Sequence, residues 1–118
     1  MDKMTWHSAV QACQQWGASL VEVKHVVEHR LMESSLKKEN VFNSIWLGAS
    51  DEGGEWRCHS TDHPLQYTAW AYGEPNKGGS AHCLIMLNDD SEKDWKAVDC
   101  GLKQNFMCLK SSKTTQTF

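Results

Sequence analysis

The sequence predicts one α+β domain, in which two helices flank small antiparallel sheets and a long loop, all held together by disulfide bonds. Helical spacing near the start, strand-like apolar runs later and five cysteines support this fold class. A chain of 118 residues can form one core but is too short for two. The formal net charge of −3 argues against nucleic-acid binding. No apolar run approaches the roughly 20 residues that cross a bilayer.

Two helices are predicted in the first third of the chain. Thr5 is a suitable N-cap for the first helix, and Gly17 is a suitable end. The apolar residues that share one face of this helix are Trp6, Ala9, Val10, Cys13 and Trp16. The second helix is expected over residues 25–38, with apolar positions at Val27, Leu31 and Leu36.

Apolar runs predict strands in the rest of the chain. Residues 45–49 are interpreted as a strand buried on both faces. Between residues 59 and 81 the chain loses its periodicity and carries both prolines. A segment of that length without regular structure is usually functional or disordered in a small domain, and its aromatic residues favour an ordered loop. Further strands are expected at 83–87, 95–100 and 105–109.

The five cysteines indicate an oxidising compartment. Cys83 and Cys100 bracket one acidic loop, so a bridge between them is geometrically easy. Cys13 and Cys108 then remain as a long-range pair. Cys58 is left over, and both a buried free thiol and an interchain disulfide stay open for it. No signal peptide precedes the first helix, so we interpret Met1 as a trimmed or recombinant start.

The tripeptide Glu74-Pro75-Asn76 is the most informative motif of the long loop. Glu and Asn on either side of a proline can present two side-chain oxygens from one tight turn. Such oxygens suit calcium, and they can also hydrogen-bond a sugar hydroxyl. A cis peptide before the proline would aim both oxygens the same way. Nearby, Tyr72 is a candidate for packing on the apolar face of a sugar, and His82 can donate to a hydroxyl.

The ordered set of motifs resembles the C-type lectin-like domain. Trp46-Leu47-Gly48 is similar to the family's Trp-Ile-Gly core strand, and Phe106-Met107-Cys108 is similar to its closing strand. The resemblance covers residues 1–110 and leaves 111–118 as a polar tail that we expect to be frayed. It implies a secreted or extracellular carbohydrate-recognition domain. It also implies the bridges Cys13–Cys108 and Cys83–Cys100.

The sequence departs from the family pattern at its start and at its calcium sites. The family's opening strand is missing, which would expose an edge beside the C-terminal strand. Of the ligands of the primary calcium site, only Glu74 and Asn76 are kept. The later ligand positions hold Ala81, Lys96 and Ala97.

These substitutions predict weak calcium binding. Calcium takes six to eight oxygens, and Glu74 and Asn76 supply too few to hold it tightly. We expect the Lys96 ammonium to occupy part of the missing ion's place and to pair with Glu74. A secondary calcium site is similarly depleted, because Lys77 and His82 stand where the family usually has acidic groups, although Asp51 is a possible match.

The leading hypothesis is a carbohydrate-binding module with weak or unconventional calcium dependence and a glycan or glycoprotein as its partner. Its expected sugar-binding residues are Glu74, Asn76, Tyr72, His82 and Lys96. The alternative is a calcium-independent protein-binding domain of the same fold that acts as a dimer linked through Cys58. We do not expect an enzyme, because the sequence has no local signature such as a nucleophile elbow.

Overall fold

The computed structural model describes residues 3–38, 44–75, 79–87 and 94–110, without the side chains of 33 and 35–38. These residues form two helices and seven strands, which confirms the predicted α+β class. The tail 111–118 lies outside the described residues. The elements are α1 (Trp6–Gln15), β1 (Ser19–Leu20), α2 (Val26–Lys38), β2 (Ile45–Ser50), β3 (Arg57–Cys58), β4 (Ala81–Met86), β5 (Trp95–Asp99), β6 (Asn105–Phe106) and β7 (Cys108–Leu109).

Helix α1 begins and ends almost where the sequence predicts. The Thr5 hydroxyl accepts a hydrogen bond from the Ser8 N–H at 3.4 Å, which is the role of an N-cap side chain. Gly17 has a φ of +68°, a left-handed conformation that suits glycine after the last turn. Trp16 was expected on the buried face, and this prediction is wrong. It lies after the last helical residue, and 55% of it is exposed.

Helix α2 exposes two of its apolar residues and buries a polar one. Val27 and Leu31, two of the apolar positions noted in the sequence of this helix, are 61% and 63% exposed. The buried residues of this helix are His29 and Met32. Positions two residues apart lie on opposite sides of a helix, and burial of His29 therefore turns Val27 and Leu31 outward. The side chain of Leu36 lies outside the described part of the structure.

The larger sheet has the strand order β3-β2-β4-β5, and all three of these pairings are antiparallel. Strand β6 pairs parallel with β2. The smaller sheet contains β1 and β7. The strands predicted at 45–49, 83–87 and 95–100 are confirmed to within two residues, whereas the one predicted at 105–109 is divided into β6 and β7.

Strand β2 separates two apolar clusters because successive side chains of a strand point to opposite faces. Ile45, Leu47 and Ala49 face the first cluster, and Trp46 faces the second. The predicted strand that is buried on both faces is therefore confirmed. The first cluster also contains Val21, Val23, Met32, Ala69, Leu84, Met86 and Trp95. The second also contains Trp6, Ala9, Val10, Cys13, Leu20, Cys83, Ile85 and Phe106.

Two disulfide bonds close the fold, as the cysteine spacing and the family resemblance both suggested. Cys13–Cys108 joins α1 to β7 with a Cα–Cα distance of 5.4 Å. Cys83–Cys100 joins β4 to the end of the β4–β5 hairpin with a Cα–Cα distance of 5.1 Å. Among the described residues, no helix is both long and apolar enough to cross a membrane.

Candidate functional site

The long loop runs beside β5 like a short additional strand. The Trp95 N–H donates to the Ala69 carbonyl at 2.8 Å, and the Ala71 N–H donates to the Trp95 carbonyl at 2.9 Å. Trp70 and Trp95 thus form a parallel bridge. Strand β5 ends the strand order of the larger sheet, and the loop satisfies backbone groups on its outer edge.

Glu74 lies at the bend where the loop leaves β5. Its Oε1 accepts a hydrogen bond from the Ala97 N–H at 3.0 Å, and its own N–H donates to the Ala71 carbonyl at 2.9 Å. The side chain is half-buried. The Glu74–Pro75 peptide bond is cis. Asn76, the other residue of the motif, lies outside the described residues.

Lys96 does not make the expected contact with Glu74. Its side chain is exposed on β5. Within the described part of the chain, the ion pairs do not include one between Lys96 and Glu74. The Glu74 carboxylate instead bonds to the backbone N–H of the next residue, Ala97. The prediction of a Glu74–Lys96 ion pair is therefore wrong, since the Ala97 N–H donates to this carboxylate and the Lys96 ammonium is not paired with it.

Aromatic residues of the loop differ in burial: Trp70 packs against other tryptophans, whereas Tyr72 is exposed. Trp70 is half-buried and makes edge-on contacts with Trp56 and Trp95, at ring-centroid distances of 5.1 Å and 6.0 Å. Tyr72 is fully exposed, as the sequence predicted for a surface contact. Two residues before Glu74, the loop therefore presents a phenol ring to solvent.

His82, near the start of β4, lies among polar side chains that include Asp51 and Asp99. Its Nδ1 lies 2.8 Å from Asp51 Oδ1, and a carboxylate can only accept, so Nδ1–H donates. Asp99, opposite the start of β4, accepts from the Gly101 N–H and the Ser80 hydroxyl, each at 2.7 Å. The Gly101 N–H, followed by Ser80 and the charge of His82, lowers the pKa of Asp99. The sequence indicated Asp51 and His82 separately but did not indicate their pairing.

A buried polar network lies beneath the loop and was not predicted. His29 Nε2 lies 2.8 Å from Asp94 Oδ1, and His29 Nδ1 lies 3.1 Å from the Tyr67 hydroxyl. The three side chains come from α2, the residue before β5 and the entry of the long loop. The only signal in the sequence was the spacing of His29 and Met32, which places a polar residue on the buried face of α2.

Comparison with known proteins identifies the family. A family model described as the lectin C-type domain matches residues 2–110. The chain belongs to the C-type lectin family. It is 32% identical over 111 residues to the CD209 antigen of Nomascus concolor, a match that covers 91% of this chain and 26% of that protein. The chain therefore spans about a quarter of the length of this relative.

Solved structures of C-type lectin folds resemble the chain closely. The crystal structure of human lithostathine has a TM-score of 0.82 and 26% identity, and the match covers 93% of this chain and 79% of that one. The cow C-type carbohydrate-recognition domain of CD23, solved in the presence of a GlcNAc2Man3 oligosaccharide, has a TM-score of 0.70 and 27% identity. That match covers 90% of this chain and 78% of that one.

C-type lectins generally bind calcium, but the described residues do not fit a tight calcium site. In the ranges that the structure describes, no group of three or more His, Cys, Asp or Glu side chains is arranged to hold a metal ion. One oxygen of Glu74 already accepts from Ala97, and Ala81 and Lys96 offer no side-chain oxygen. This donor set is far smaller than the six to eight oxygens that calcium takes.

Cys58 is a buried free thiol on β3. Burial raises its pKa, the Glu22 carboxylate raises it further, and the Lys24 ammonium opposes both effects. A bridge to a second chain would require this side chain to be reached from outside. Its environment therefore agrees with the first of the two alternatives, a buried thiol.

Proposed function

We propose that this domain binds carbohydrate at the bend of the long loop. The observation that carries the proposal is the arrangement of Tyr72 and Glu74. A fully exposed phenol ring stands two residues before a half-buried carboxylate that is anchored on β5. A sugar presents an apolar ring face and a rim of hydroxyl groups, and these match an aromatic ring and a hydrogen-bond acceptor two residues apart on one loop.

Each candidate residue has a defined part in this proposal. Glu74 accepts hydrogen bonds from sugar hydroxyls, and Tyr72 packs on the apolar face of the ring. His82 donates its Nδ1–H to Asp51, so the Nε2 atom of the neutral ring accepts from a hydroxyl at the edge of the ligand. Asn76 follows Pro75 in the sequence and Lys96 precedes Ala97, and we propose both as additional polar contacts.

The family supports sugar binding, and the chemistry of the available donors supports a weak dependence on calcium. The cow CD23 domain, a C-type carbohydrate-recognition domain, was solved in the presence of an oligosaccharide. Because the described donors do not suit a tightly held ion, we propose that calcium is used weakly or not at all. The two disulfide bonds favour an extracellular location, where such bonds persist.

Retention on immobilised sugars tests the proposal. Columns of mannose, N-acetylglucosamine and galactose are run with calcium and with EDTA. We expect retention on at least one sugar, with little change in EDTA, and weaker retention after Tyr72→Ala. Trp16→Ala is the matched control, because Trp16 is also an exposed aromatic residue but lies at the end of α1. Absence of retention on all three sugars would count against the proposal, as would equal retention of the Tyr72→Ala and Trp16→Ala variants.

A calcium-independent protein-binding domain is the second candidate. The exposed pair Val27 and Leu31 on α2 favours it, because neighbouring apolar residues on a surface are typical of protein interfaces. A glycan array without binding, together with binding to a protein that is lost after Val27→Ser, would support this candidate over the first.

A further inference from the structure

Glu74 completes the pairing between the long loop and β5 with its side chain. In a strand, residues two apart direct their N–H groups to the same edge. The Trp95 N–H donates to the backbone carbonyl of Ala69. Two residues on, the Ala97 N–H donates to the carboxylate of Glu74 at 3.0 Å. The carboxylate therefore stands where the next backbone acceptor of a parallel strand would lie.

We propose that Glu74 is a positioning residue whose bond to the Ala97 N–H fastens the candidate sugar-binding loop to β5, so that the order of this loop does not require a bound cation. The inference rests on the proposed function only in taking this loop as the binding site. It adds to the proposed function that the order of the binding loop is insensitive to calcium.

The bond to Ala97 does not prevent Glu74 from binding sugar. A carboxylate offers about four acceptor positions on its two oxygens. One bond to the main chain restricts the rotation of the side chain and presents the carboxylate in a fixed position. The same contact therefore holds the loop and prepares the acceptor.

Two substitutions of Glu74 separate the effect of side-chain length from the effect of charge. Glu74→Gln keeps the length of the side chain and an oxygen acceptor but removes the charge. Glu74→Asp keeps the charge but shortens the side chain by one methylene, about 1.5 Å. If the bond to Ala97 fastens the loop, the Gln variant keeps the loop in place and the shorter Asp variant does not. If a bound cation fastens the loop, the charged Asp is the better replacement.

Amide hydrogen exchange measured by NMR on the ligand-free protein tests the proposal. In Glu74→Ala and Glu74→Asp we expect exchange of the Ala97 and Ala71 amides to become faster by about tenfold or more. In Glu74→Gln it should stay within about threefold of the wild type. The Gly48 amide, which bonds to the Val21 carbonyl at 2.7 Å in the core, reports whether each variant is folded.

The same measurement is repeated with calcium and with EDTA. We expect exchange of the Ala97 amide to agree within about threefold between the two conditions. Protection that rises strongly on addition of calcium would overturn the proposal. It would also be overturned by unchanged Ala97 exchange in Glu74→Ala, or by a Gln variant that exchanges as fast as the Ala variant. Because no sugar is present, these outcomes are independent of retention on the sugar columns.

Discussion

His29 Nε2 and Asp94 Oδ1 lie 2.8 Å apart, and only 1% and 0% of the two side chains are exposed. A buried charge is costly unless it is paired and hydrogen-bonded. The pair joins α2 to the residue that precedes β5, and the Tyr67 hydroxyl adds the long loop to the same network at 3.1 Å. The two contacts of His29 therefore connect α2, the start of β5 and the long loop.

Removal of the Asp94 carboxylate should destabilise the domain strongly. We expect Asp94→Ala to lower the free energy of unfolding by about 3–5 kcal/mol, since a buried imidazole loses the partner at Nε2. Urea unfolding followed by tryptophan fluorescence measures the change. Glu55→Ala is the control, because Glu55 pairs with Arg57 at 2.9 Å on the surface and such pairs contribute less than about 1 kcal/mol. Equal losses in both variants would contradict the role given to His29 and Asp94.

A side chain at Gly48 should disturb the contact between β2 and the segment that follows α1. A Cβ there would lie 2.8 Å from the Leu20 carbonyl oxygen, which belongs to the backbone and cannot easily move. We expect Gly48→Ala to cost about 1–3 kcal/mol in the free energy of unfolding. Gly53→Ala, with no neighbouring atom within 4 Å, should change it by less than about 0.5 kcal/mol. A Gly48→Ala variant as stable as Gly53→Ala would disprove the clash.

Ser80→Ala should raise the pKa of Asp99. The Gly101 N–H and then the Ser80 hydroxyl lower this pKa, so the loss of the hydroxyl moves it back toward the ordinary value of about 3.9. The carboxylate favours folding above that ordinary value, and its contribution is lost as the pH falls through the lowered folded pKa. Carboxyl NMR titration measures the shift. Ser60→Ala, which removes a hydroxyl bonded to Glu22, should leave Asp99 unchanged.

Cys58 should react slowly with a thiol reagent in the native protein. Burial raises its pKa, so the reactive thiolate is scarce at neutral pH. We expect labelling by an aromatic disulfide reagent to be slower by about tenfold or more in buffer than in urea. A non-reducing gel should show a monomer. Rapid labelling of the native protein, or a dimer band that Cys58→Ser abolishes, would favour an interchain bridge instead.

Apolar periodicity and cysteine spacing were sufficient to predict most of the fold. Trp6, Ala9, Val10 and Cys13 are buried at helical spacing, and β2 is buried on both faces. Such patterns are informative because burial of apolar area dominates the free energy of folding. The same rule fails for Val27 and Leu31, where a buried polar pair determines which face of α2 meets the sheet.

The candidate site was only partly predictable. Glu74 and Tyr72 stand out from their neighbours in the sequence, and Tyr72 is exposed as expected. One partner of Glu74 is a backbone N–H, and residue identity does not reveal a main-chain donor. The sequence therefore suggested the Lys96 side chain for a role that the peptide group of Ala97 fulfils.

The bridge between Cys13 and Cys108 spans 95 positions of the sequence. Tension applied to the backbone outside these two residues would pass through the sulfur atoms and bypass the segment between them. The loop that carries Glu74 lies within that shielded segment. A force applied to the two ends of the chain would therefore not unfold the loop that carries Glu74 as long as this disulfide bond stays intact.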